Sequence, residues 1–475
     1  MVRRHLTPSH PPHDDVPWDA LARELDALAA EIRDLPVLQP PDATPDSMQR
    51  AARERFDLAR PTPLASLIPA VAEFLRGGIT HVTHPRYFGL FNPSVRAAGI
   101  AGDALAAGFN LQLAVWSHAP AALELERLTL QELGERIGFG AGHTLAHFAS
   151  GGAEANLSAV LVALASRFPA SAEHGVAALD RRPAIYVGEE SHHSFVKIAR
   201  MAGLGTAALR EARVTDGWTL DVEHLARRIA EDRTKGWAPL LVVGTAGTTS
   251  AGMVDDLPAL ADLARREGAW FHVDAAWGGA AALSDRLRPA LGGIERADSV
   301  TWDAHKWLNA PMGAGMFFCR HPDAVRRAFT TRTSYMPAAS GTVDDLYLAS
   351  PQWSRRSIGL KVFCTLAELG LPGAAALVER QAEMGERLRA KLRGAGWETV
   401  NDTPLPVICF TRAEARAGRL DLAEVVARIH ARRRAWISRT VLGGRLPVLR
   451  ACITSWRTEE EDLDVLVEEL EASRR

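Results

Sequence analysis

The sequence predicts an α/β fold with a mainly parallel sheet in a large domain and a smaller α+β domain at the C-terminus. Three observations carry this. Short apolar runs of strand length lie at 184–187, 240–243, 270–273, 300–302 and 316–319. Helical stretches, 155–167, 222–229 and 257–267, fall between several of them, and strands alternating with helices build a parallel sheet covered on both faces. Past Gly359 the pattern changes to helices near 374–392 and 422–434, a strand-like 407–410 and a last helix.

Size and charge are consistent with that architecture. At about 150 residues per domain, 475 residues make roughly three units. These are read as a helical arm over 1–88, the large domain over 89–358 and the small domain over 359–475. Lys+Arg 55 against Asp+Glu 57 leaves a formal charge of −2, which argues against a nucleic-acid partner. Cys319, Cys364, Cys409 and Cys452 form no C-x-x-C pair and are too few to staple the chain, so a reducing, cytoplasmic setting is expected. No uninterrupted apolar run reaches the roughly 18 residues of a membrane helix, and 1–15 is rich in Pro and His without a signal-peptide core. No membrane association is expected.

In the arm, Leu21, Leu25, Leu28 and Ile32 share one helical face after Pro17 and Asp19, a face that calls for a partner surface such as a second subunit. At the other end Thr458 and Glu461 have capping-box spacing for the final helix. Arg432-Arg-Arg434 reads as a solvated helix end. His143 and His147 have the spacing of a helical metal pair, but they lie in a segment that reads as a strand, where that spacing loses its meaning, and no metal is expected.

Ligands of open α/β sheets sit beyond the carboxyl ends of the strands. Four segments there stand out. Ser150-Gly-Gly-Ala-Glu-Ala-Asn156 places two glycines between a strand and a helix N-terminus, a phosphate cradle, although such a turn is equally a tight connection. His272-Val-Asp-Ala-Ala276 ends a strand in Asp274, which is either functional or a helix cap. Asp303-Ala-His-Lys306 puts a lysine after a buried strand, a candidate Schiff-base amine. His192, in Glu190-Ser-His-His-Ser194, taken alone reads as a satisfied core histidine. Together, an anchor, an aspartate for a pyridinium nitrogen and an amine for an aldehyde are the parts that a pyridoxal phosphate enzyme needs.

The chain resembles the group II pyridoxal-phosphate-dependent decarboxylases, the family of aromatic L-amino acid, glutamate and histidine decarboxylases. The resemblance rests on the segments above, on His84-Pro-Arg-Tyr-Phe88, and on Gly244-Thr-Ala-Gly-Thr-Thr249, and it runs from about His81 onward. It implies an aminotransferase-like (fold type I) architecture, pyridoxal 5'-phosphate as cofactor, and a homodimer with the active site at its interface. By the same resemblance Lys306 carries the cofactor, Asp274 pairs with its ring nitrogen and His192 stacks on its face. Gly151, Gly152, Ala153, Asp303 and His305 fall in the phosphate-binding segments, Thr245 and Ala276 fall where the ring is touched, and Tyr335 matches the catalytic tyrosine of a mobile loop, here 330–341.

Two departures stand out. Ala153 replaces a common Ser or Thr, and Asp303 stands where some members have Asn, a repulsive neighbour for phosphate unless water or a protonated His305 intervenes. The expected reaction is decarboxylation of an L-amino acid to the amine, with Tyr335 as the acid. Its rival couples decarboxylation to oxidative deamination and releases an aldehyde. A transaminase lacks a placeable arginine clamp, and a catalytically silent binding protein is opposed by the presence of Lys306, Asp274, His192 and Tyr335. Phe91 and Trp116 are compatible with an aromatic substrate, although aromatics at such positions more often pack than recognise.

Overall fold

The computed structural model describes residues 17–140, 142, 144–331, 333–336 and 344–474. Seven strands form the large sheet: β1 (Leu145–Ala149), β2 (Arg182–Gly188), β3 (Leu209–Ala212), β4 (Trp237–Thr245), β5 (Trp270–Asp274), β6 (Ser299–Asp303) and β7 (Gly315–Cys319). Their order is β1-β7-β6-β5-β4-β2-β3. Pairing from β6 across to β3 is parallel, and helices such as Gly152–Arg167, Val222–Thr234 and Leu257–Glu267 make the crossovers. Residues of β5, β6 and β7 are buried throughout, as strands covered on both faces must be.

β7 departs from the parallel scheme. It runs antiparallel to both β6 and β1. The segment joining β6 to β7 contains no helix, and a connection that short cannot cross over to start a parallel neighbour. β1 therefore lies at the sheet edge with β7 as its single neighbour, Leu145 facing Cys319 and Ala149 facing Gly315.

A second, antiparallel sheet is ordered β10-β11-β9-β8, from β8 (Glu398–Thr399), β9 (Val407–Thr411), β10 (Ser438–Leu442) and β11 (Leu446–Cys452). Its core gathers Leu388, Leu392, Ile408, Phe410, Ile429, Leu449 and Leu466. The arm is stitched to this sheet. The Phe88 ring is buried in the core, its N–H donates to Trp436 O at 2.8 Å, and its carbonyl accepts from Cys452 N at 2.9 Å.

Three local expectations need correction. The final helix, Glu460–Ser473, is capped by Glu459 with Asp462 in the reciprocal role, one residue later than the Thr458–Glu461 reading, because the Thr458 hydroxyl donates instead to Pro85 O at 2.7 Å. The Arg432 run is not a free solvated end: Arg433 adopts a left-handed cap conformation (φ 57°) and donates to Leu38 O, while Arg434 pairs with Glu469 at 2.7 Å. By length and composition the helix Gly359–Gly394 is apolar enough to cross a membrane, against the expectation from uninterrupted runs. Gly370 breaks it (φ 63°, ψ 164°), and Val362, Ala374, Val378 and Leu388 along it are buried in protein.

The arm helix Trp18–Glu31 lies beside the helix Leu64–Gly78, joined by Arg76 to Glu24 at 3.2 Å. Leu21, Leu25 and Leu28 stay exposed while Ile32 is buried. Leu64, Val71 and Leu75 of the neighbouring helix are exposed as well.

Candidate functional site

The site is assembled where β1, β4, β5 and β6 end. After Ala149 the chain turns through Gly151, the N-cap of the helix Gly152–Arg167. The first-turn N–H groups of Gly152 and Ala153 have no carbonyl within the helix to bond, which makes this end a receptor for an anion. Glycine is required by contact. A Cβ on Gly152 would stand 2.9 Å from Asp303 Oδ2, and one on Gly315 would stand 2.6 Å from the backbone of Gly151.

Asp274, buried at the end of β5, accepts from Ala276 N at 3.1 Å and from Asn156 Nδ2 at 2.8 Å. Thr245 lies in register beside it on β4. Its hydroxyl is 3.2 Å from Ser191 Oγ, which ties the β4 end to the segment that carries His192. Ala276 sits at the cradle: its methyl would be 3.2 Å from a Cβ on Gly152, and its carbonyl accepts from Asp303 N at 2.7 Å.

Lys306 follows β6, and its Nζ is 3.1 Å from the Oδ2 of Asp303, whose side chain is 1% exposed. His305 Nε2 stands 3.7 Å from the same oxygen, and its Nδ1 accepts from Ala314 N. Burial lowers the pKa of His305, with the charge of Asp303 opposing and Lys306 assisting. Among the described residues Lys306 is the cation paired with Asp303.

His192 opens onto a cavity of about 550 Å³ with Leu90, Glu190, His193, Thr249 and Arg450 in its lining. Its Nδ1 accepts from Ser194 N at 3.2 Å, which leaves Nε2 to carry the proton of the neutral ring. Withdrawal from water lowers its pKa most, the charge of Asp274 opposes and that of Lys306 assists, so the three side chains share one electrostatic environment.

Tyr335 is not brought there. It is 73% exposed on the outer surface, its ring 6.3 Å from that of Trp353. Of the loop 330–341, residues 332 and 337–341 lie outside the described residues. Of the two aromatics considered for substrate recognition, Phe91 is stacked on Trp277 at 4.6 Å, and the Trp116 indole donates to Glu124 at 2.9 Å. His147 is buried on β1 with its ring beside Phe317, and His143 lies outside the described residues. Among the described residues no group of three His, Cys, Asp or Glu could hold a metal ion.

Three residues escaped the sequence reading. Asn156, which orients Asp274, is four positions after Gly152 and so on the same helix face, a spacing that was available as a signal. Asp255 is buried and accepts from Thr245 N and Leu220 N, both at 2.8 Å, and burial pushes its carboxyl up to about 6 against those bonds. Arg450 on β11 donates to Thr249 O and Gly89 O and lies 4.8 Å over the Phe91 ring. Its buried Nη2 has no hydrogen-bond partner among the described residues. Nothing in local sequence marks it, since its place depends on the small sheet docking against the large one.

The chain is similar to known proteins over most of its length. A family model described as the pyridoxal-dependent decarboxylase conserved domain matches residues 45–413. Tryptophan decarboxylase 1 of Oryza sativa subsp. japonica is 30% identical over 462 residues, covering 90% of this chain and 87% of that protein. Phenylacetaldehyde synthase of a Rosa hybrid cultivar is 25% identical over 85% of this chain and 83% of its own length. The crystal structure of Oryza sativa TDC with PLP and tryptamine matches with a TM-score of 0.89 at 28% identity, over 98% of this chain and 99% of that one.

Proposed function

The chain belongs to the pyridoxal-dependent decarboxylase family, and from that premise we propose that its substrate is an aromatic L-amino acid, converted to the amine and carbon dioxide by a cytoplasmic homodimer. The fold is the aminotransferase-like one, the cofactor is pyridoxal 5'-phosphate, and the activity class is amino acid decarboxylation. The single observation that carries the reading is the placing of Lys306, Asp274 and the Gly152 helix N-terminus at the ends of β6, β5 and β1. The aromatic substrate class is supported by the likeness to the rice tryptophan decarboxylase over nine-tenths of the chain.

The residues present fit the cofactor. The cradle that a Cβ would fill would take its phosphate on the N–H groups of Gly152 and Ala153, without the hydroxyl that a Ser or Thr at 153 would add. Lys306 would offer an amine to its aldehyde, Asp274 an acceptor to its ring nitrogen, and His192 an imidazole to its ring face. When bound, the cofactor supplies an electron sink for the pair left behind as carbon dioxide departs. The cavity lined by His192 and Arg450 receives the substrate. Arg450 lines it as a cation whose guanidinium is held by Thr249 O and Gly89 O.

Proton return to the substrate is the work of Tyr335. Because that phenol stands outside this chain's own site, the loop acts across a dimer, and the exposed apolar faces of Trp18–Glu31 and Leu64–Gly78 are surfaces for the second subunit. The same displacement favours a second reading, aldehyde formation, the activity named for the rose relative. The test is a screen of aromatic, acidic and sulfur-bearing amino acids for carbon dioxide, amine and aldehyde, with and without oxygen. Amine from an aromatic substrate is expected. Aldehyde with peroxide would put the second reading first, and turnover of acidic substrates alone would overturn the aromatic assignment.

A further inference from the structure

A line of hydrogen bonds buried behind the cradle has one chemically consistent direction. Asn156 Nδ2 is 2.8 Å from Asp274 Oδ2. A carboxylate accepts, so the amide must turn its NH2 to Asp274 and its oxygen to His272 Nε2, 2.9 Å away. That ring nitrogen therefore carries the proton. Nδ1 of the same ring is then an acceptor, facing Ser299 Oγ at 2.9 Å, and the hydroxyl donates to it. Ser299 Oγ in turn receives the indole N–H of Trp270 at 2.9 Å. Thr301 Oγ1 stands 3.5 Å from His272 Nε2 as a longer second acceptor.

The fold sets these groups in line. His272 and Asp274 are two apart on β5 and share a sheet face. His272 and Ser299 are partners in the β5–β6 register. Asn156 comes from the helix whose first turn forms the cradle. Asn156, His272 and Ser299 are all buried, and burial keeps His272 neutral, its pKa pushed down to about 4. Each donor points toward the carboxylate, and hydrogen bonds to the charged form favour the charged form.

We infer that Asn156, His272 and Ser299 are positioning residues that hold Asp274 as an ionised acceptor and so keep the pyridine nitrogen of the bound cofactor protonated. The inference rests on the cofactor reading above. It acts on the ring nitrogen alone, which gives it a signature that mere packing lacks.

The experiment measures binding of pyridoxal phosphate and of its 1-deaza analogue, in which the ring nitrogen is a C–H, to the full-length protein and to Asn156→Leu, Ser299→Ala and His272→Gln. The 15N shift of ring-labelled cofactor is read in each holoenzyme. Asn156→Leu is expected to weaken pyridoxal phosphate roughly tenfold, to leave the deaza analogue within about twofold, and to move the 15N signal toward the unprotonated position. Ser299→Ala, which removes one hydroxyl and carries the test if the larger change fails to fold, moves both readouts less and in the same sense. His272→Gln, which keeps a donor toward Asn156, restores most of the wild-type signal. Equal losses for both cofactors, or an unmoved 15N signal, would overturn the inference while leaving the cofactor reading intact. If the wild type binds neither compound, the cofactor reading falls and takes the inference with it.

Discussion

Lys306 and Tyr335 are assigned to one reaction, yet the chain treats them in opposite ways. Lys306 lies between two fully buried strands, paired with a carboxylate that is itself enclosed. Tyr335 stands on the surface with Trp353 as its aromatic neighbour. Within one chain the lysine is thus held in place, whereas Tyr335 stands apart from it on the surface. Rigidity suits the first task, where bond alignment sets the rate. Mobility suits the second, since substrate must enter before water is shut out.

Removing the prebuilt side should have the largest effect. Lys306→Ala is expected to lower turnover by on the order of ten-thousandfold and to abolish the lysine-linked visible absorption, while cofactor still binds non-covalently to the cradle. Absorption spectra and product assays check this, and retained turnover would place the amine elsewhere.

Tyr335→Phe acts on the other side and should be milder in a telling way. Cofactor affinity stays near wild type, amine formation falls by roughly a hundredfold, and the product ratio shifts towards aldehyde, ammonia and peroxide. An unaltered ratio removes Tyr335 from proton delivery.

Mixing the two variants sharpens the contrast. If the loop crosses a two-fold interface, a hybrid dimer holds one site with both Lys306 and Tyr335, so random mixing restores about a quarter of wild-type amine output. No recovery on mixing would assign the tyrosine to its own chain's site.

The smallest effect concerns stability under the cradle. Burial holds His147 on β1 neutral, its pKa pushed down to about 4 from 6.5, so the unfolded chain takes up a proton that the folded one refuses as pH falls between those values. Stability is lost in that window. Replacing this side chain by His147→Phe should flatten the decline, a gain on the order of 2 kcal/mol at pH 5 relative to neutral pH, measured as the pH dependence of Tm. A parallel decline in both proteins would show that His147 is not among the groups responsible.

What could be read in advance follows the same division. Strands buried on both faces write themselves as apolar runs, and the motifs at their ends carry the site because backbone geometry alone fixes where a strand-end residue points. Edge elements were less legible: β3 and β10 each have a single buried residue, at their last position, and β8 has two residues, too few for any period. Phe91 and Trp116 read both ways because an aromatic at such a position packs as readily as it recognises. Arg450 and Asp255 were silent because their roles depend on which distant backbone groups they meet, Thr249 and Gly89 for one and Leu220 and Thr245 for the other.

The edge position of β1 bears on how this protein comes into being. Its sole strand partner among the described residues, β7, is made far later in synthesis, after every other strand of the large sheet. Contacts between such distant segments are the slow part of folding because the chain must close a long loop before it gains anything. The cradle at the end of β1 has Gly315 of β7 packed against Gly151. Cofactor retention is therefore expected to report on whether the last strand of the sheet has docked.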